Sequence, residues 1–78
     1  MASNKVTIEY GFVSAKIAPQ DSESTMSKVS FHARVESEYP SASGWEVYQA
    51  DSILVRTPYN GLEVELPYVT YFLKKVNG

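Results

Sequence analysis

A mainly β fold, a small antiparallel sheet or partly open barrel of about five strands, is predicted by three features of the sequence. Apolar and polar residues alternate with period two over most of the chain, the pattern of half-buried strands. Stretches rich in Pro, Ser, Gly and acids separate the alternating runs. Asn60-Gly61 lies between two such runs, where its tolerance of positive φ suits a type I′ hairpin turn. The alternative is α+β, with 44–51 as one short helix laid on the sheet. Strands are expected near 5–17, 28–37, 45–49, 53–57 and 62–74, all in a single domain spanning 1–78.

In the first strand Val6, Ile8, Tyr10 and Phe12 share one parity, after which Val13, Ala15 and Ile17 take the other. Gly11 stands just before the change, so a bulge there is expected to re-aim the strand. "APQDSESTMS" reads as a solvated loop. In "KVSFHARVES", Val29, Phe31, Ala33 and Val35 alternate with Ser30, His32, Arg34 and Glu36, the most regular alternation in the chain. "GWEVYQADS" carries two signals. Trp45, Val47 and Tyr48 favour a strand, whereas Ser43 followed by Glu46 spells a helix capping box.

A two-residue turn at Asn60-Gly61 sets Tyr59 against Leu62, Thr57 against Val64 and Arg56 against Glu65. A four-residue turn sets Arg56 against Glu63 instead. In both registers Val55, Leu62, Val64 and Leu66 share the inner face, and Glu63 and Glu65 face water. With the shorter turn, Pro58 and Pro67 fall where the missing N–H points away from the hairpin partner, so a further strand should stop pairing near them. The last segment puts Val69, Tyr71 and Leu73 on one face and Tyr68 and Phe72 on the other, so both faces need cover or one is a contact patch.

Composition narrows the functional classes. The chain has 78 residues and no cysteine, and His32 is its only histidine, so neither a disulfide framework nor a zinc site is expected to support so small a core. No cofactor is expected either. The opening "MASNKVTIEYGF" has no basic region followed by a long apolar stretch, so neither a signal peptide nor a membrane span is expected, and a cytoplasmic location follows. Seven Lys and Arg against nine Asp and Glu give a net charge of −2, without the basic face of a duplex nucleic-acid binder.

Catalytic arrangements find little support. A Ser/His/Asp set built on His32 with Asp21 or Asp51 rests only on common residue types, and paired-carboxylate chemistry at Glu63 and Glu65 lacks apolar surroundings to raise a pKa. A non-enzyme is therefore expected. Six tyrosines and one tryptophan carry the functional signal, because such rings bury large area with few rotatable bonds. Tyr10, Trp45 and Tyr71 are assigned to the core. Tyr39, Tyr48, Tyr59, Tyr68 and Phe72, with Glu63 and Glu65 at an acidic rim, are the candidate partner-binding residues.

The expected function is thus a small inhibitor or adaptor acting by protein–protein contact through an aromatic sheet face; a viral anti-defence protein fits that description. One alternative is a small barrel that stacks single-stranded nucleic acid on tyrosines, with Lys28, Arg34, Lys74 and Lys75 on phosphate. The other is a structural subunit held in a homo-oligomer by its last strand.

Overall fold

The computed structural model describes residues 5–78, so the first four residues of the one-domain reading lie outside the described range. Strand β1 (Thr7–Lys16) is followed by helix α1 (Lys28–Glu38), a 3₁₀ turn (Ser41–Ser43), and strands β2 (Trp45–Tyr59) and β3 (Leu62–Asn77). The three strands form one antiparallel sheet in the order β1-β3-β2. The mainly β class holds, with three strands rather than five. Since β1 and β2 are not neighbours, the sheet stays open instead of closing into a barrel.

Two corrections account for the strand number. The segment read as a strand at 28–37 is α1. Its buried residues are Phe31 and Val35, an i,i+4 pair, while Val29, on the same parity as Phe31, is 80% exposed. The start of the helix explains why the sequence concealed it. Ser27 is the N-cap and accepts from the Ser30 N–H at 3.2 Å, but Ser30 stands where a capping box has Glu or Gln. Asp21 supplies the missing carboxylate from the preceding loop. Its two oxygens accept from the Ser27 N–H and the Ser30 hydroxyl, each at 2.7 Å.

The second correction joins 45–49 and 53–57 into the single strand β2. A bulge between Val47 and Gln49 makes Tyr48 the extra residue, and this slip broke the alternation at that point. The alternative helix at 44–51 is therefore a strand, and Gly44, at φ 100°, ends the 3₁₀ turn before it. Glu46 does not cap; its carboxylate reaches Lys74 Nζ at 3.9 Å. No bulge occurs at Gly11, because β1 pairs with β3 without interruption from Thr7 to Lys16. Glycine is needed there for another reason: the Tyr39 ring occupies the space a Cβ would enter.

The hairpin follows the shorter turn. Asn60 and Gly61 have φ of 53° and 77°, and Tyr59, Thr57 and Arg56 face Leu62, Val64 and Glu65. Ladder pairing between β1 and β3 ends at Lys16 and Tyr68, and the Ile17 N–H then donates to the Pro67 carbonyl at 2.8 Å. Proline can accept this bond but cannot return one, so the third strand stops there. Beyond it β2 and β3 continue as a two-stranded arm, giving a molecule of 64 × 20 × 14 Å.

The main core lies between α1 and one face of the sheet. Val13, Phe31, Val35 and Leu73 form it, flanked by Ala15, Ile17, Met26, Tyr39, Trp45, Val69 and Tyr71. Burying a side chain such as Leu73 or Phe31 contributes roughly 1.5–3 kcal/mol.

Candidate functional site: the open sheet face

The register fixes which residues share the face turned away from α1. Val13 and Leu73 point to the helix, so the opposite parity puts Ile8, Tyr10, Phe12, Ser14 and Lys16 beside Val76, Lys74, Phe72, Thr70 and Tyr68. From β2 the same face receives Glu46, Asp51 and Ile53, opposite Lys74, Thr70 and Tyr68. Because of the bulge, Tyr48 and Gln49 both stand against Phe72, and the Tyr48 ring joins the aromatic row.

The rings touch one another. Tyr10 and Tyr48 meet edge to face at 6.0 Å between centroids, and Tyr48 and Phe72 lie 6.5 Å apart. Phe12 is directly across from Phe72. Lys74 Nζ sits 5.8 Å from the centre of the Tyr48 ring while also approaching Glu46, so its charge is shared between a carboxylate and a π face. Ser14 and Thr70 bond through their hydroxyls at 2.8 Å. No element covers these rings within the described residues: Tyr10 is 65% exposed and Phe12 63%. Ile8, Tyr48, Ile53, Tyr68 and Val76 are exposed as well.

Along the arm the same face is better covered. Thr57 is fully buried and Val55, Val64 and Leu66 are half-buried, whereas Leu54 on the opposite side is 65% exposed; Leu62, expected inward, is on the same face but exposed at the tip. The loop after β1 lies on this part of the molecule, where residues 20–24 line a shallow cleft of about 330 Å³ with Pro58, Tyr59 and Asn60. The inner residues of the hairpin thus continue the open face and are not part of the helix-side core.

The candidate residues named from the sequence are divided by the structure. Tyr48, Tyr68 and Phe72 come together on the open face. Tyr39 lies on the helix side, its ring against Gly11 and 4.8 Å from Trp45 in an edge-to-face pair. Tyr59 is at the tip of the arm, half-buried. Glu63 and Glu65 project from the other side of the arm, where Glu63 approaches Arg56 at 3.7 Å. Trp45 and Tyr71 pack on the core as expected, but Tyr10 does not: it belongs to the open face. Ile8, Tyr10 and Phe12 of β1, Ile53 of β2 and Val76 of β3 are site residues that the sequence reading misses. For β1 the signal is present in its two apolar parities, which the sequence reading takes as one face changing side at Gly11.

Of the polar groups weighed from the sequence for catalysis or phosphate contact, His32, Asp21 and Arg34 have other partners. His32 Nε2 lies 3.0 Å from the Tyr71 hydroxyl. Asp21 is occupied at the helix start, and the Ser27 N–H, followed by the Ser30 hydroxyl, holds its carboxyl below the usual aspartate value. Arg34 is paired with Glu38 at 2.7 Å one turn along α1. Among the described residues no helix is long and apolar enough to cross a membrane. Comparison with protein-family models, with curated proteins and with solved structures finds no match.

Proposed function

We propose that the protein is a non-enzymatic binding module, a small inhibitor or adaptor that works by protein–protein contact through the open sheet face. The observation that carries this reading is the contiguous row of Phe12, Phe72, Tyr48 and Tyr10 on one sheet face, in which Phe12, Tyr48 and Tyr10 are exposed and Phe72 is half-buried among them. Such rings on strands lose little side-chain entropy when covered, and aromatic patches of this kind make the centres of interfaces. Glu46 and Asp51 stand at the β2 margin and Lys16 at the β1 margin, so the rim is mixed in charge; Glu63 and Glu65, expected at an acidic rim, belong to a separate surface.

The same rings raise a second reading, in which they stack the bases of a single strand. The charges favour protein. Lys74 is matched by Glu46, and Asp51 stands on the same face, so the row lacks the basic track a phosphate backbone requires. Affinity capture with the immobilised chain tests both. Proteins recovered by the wild type are expected to be lost with Tyr68→Ala/Phe72→Ala and retained with His32→Ala on the helix side. Equal recovery by all three forms would count against the face. Recovery of nucleic acid that weakens steeply with salt would replace the protein reading with the second one.

A further inference from the structure

Resting on the reading of the open face as a contact surface, we infer that the free chain covers it with a second copy of itself, docked sheet to sheet, which a target protein would displace. Three observations point to it.

The first is area. The chain exposes 5663 Å², whereas a compact monomer of 8.7 kDa is expected to expose roughly 4,700 Å². The excess, on the order of 900 Å², compares with the ~800 Å² each partner buries in a standard interface. That excess is shared between the open face and the arm, whose length stretches the molecule to 64 Å. At the exposures of Tyr10, Phe12, Tyr48 and Tyr68, these four residues present on the order of 450 Å², before Ile8, Ile53 and Val76 are included. With those three added, the patch passes the roughly 300–600 Å² that the largest apolar patch of a monomer usually reaches.

The second is charge. The chain carries −2 overall, yet the open face holds two cations, Lys16 and Lys74, and two carboxylates, Glu46 and Asp51. A neutral apolar face offers no charge handle to a strongly acidic or basic partner. It meets its own copy without like-charge repulsion. Where Lys74 is covered, its stem packs against rings while Nζ stays with Glu46.

The third is shape. Two identical sheets share the same twist and stack face to face about 10 Å apart with strands some 30° from alignment. The loop after β1 borders the face at Ser14, Lys16 and Tyr68 as well as along the arm, and the patch ends there. A two-fold arrangement there converts a one-sided sheet, with α1 on its other face, into a four-layer particle with the aromatic rows at its centre.

Light scattering on size-fractionated full-length chain, with concentration varied up to millimolar, is the test. The expected result is a mass twice 8.7 kDa that falls towards one copy on dilution. Phe12→Glu is expected to weaken association at least about 30-fold, whereas Leu54→Glu, on the arm's opposite side, leaves it unchanged. Circular dichroism of each variant shows whether the fold is retained. Isotope-filtered NMR on mixed labelled and unlabelled wild type gives a readout that needs no substitution: contacts between copies are expected at the Phe12, Tyr10 and Phe72 rings. A chain monomeric at millimolar concentration overturns the second copy, and leaves the binding reading to be judged by the capture experiment. A dimer whose intermolecular contacts lie elsewhere overturns it as well.

Discussion

The two faces of the sheet use the same kinds of residue to opposite effect. On one face Val13 and Leu73 meet Phe31 and Val35 of α1 and disappear from solvent. On the other, Tyr10, Phe12 and Phe72 are as apolar but touch only other rings of the same face, with no second layer of the described chain over them. Hydrophobicity therefore states a demand for cover without naming what supplies it. On the first face the helix supplies it, and on the second we assign it to another molecule.

The comparison can be broken first at its covered side. Phe31→Ala removes the ring at the centre of the core and is expected to cost about 3–5 kcal/mol, measured by urea unfolding. A loss below 1 kcal/mol would mean that α1 does not cover this face. Gly11→Ala should be next, at about 1–3 kcal/mol, because a methyl there must displace the Tyr39 ring. Trp45 packs edge-on against that ring and restricts its escape. A neutral result in thermal unfolding would show that Tyr39 can move aside freely.

Ser27→Ala should cost about 1 kcal/mol by removing the N-cap of α1, with the difference visible in helix content as well as in unfolding. The acid limb provides a finer test. Asp21 has its carboxyl lowered below 3.8, so the stability it lends is complete above that value and is lost as pH falls through the lowered one. Wild type and Asp21→Asn should therefore differ by a constant amount from neutrality down to the ordinary aspartate range and converge in stronger acid. A difference that closes already at pH 6 would assign the effect to another group. The smallest change is expected on the open face: Phe12→Ser, assayed where the chain is monomeric, should alter folding stability by no more than about 0.5 kcal/mol. A core-sized loss in the monomer would remove the contrast between the faces.

The hairpin was the most legible element because its information is local. Asn60-Gly61 fixes the turn, the turn fixes the register, and Pro67 fixes where the third strand ends. The helix was illegible for the converse reason. Its period-two look came from Val29 and Ala33, and its N-terminal signal was completed by Asp21, six residues before the N-cap. At the candidate site, Tyr48, Tyr68 and Phe72 could be named from the sequence, but Tyr10 and Phe12 could not. Whether an apolar parity faces the core depends on where a distant element docks.

What the sequence determined by itself was the kind of chain, its mainly β character, the turn and the two-sidedness of its strands, since alternation and turn chemistry act between near neighbours. The tertiary structure alone decided that α1 exists, that it covers the Val13 and Leu73 side, and that the Tyr10 and Phe12 side is left open. Those outcomes depend on contacts between residues far apart in the chain, and period-two patterning treats the two sides of a strand alike.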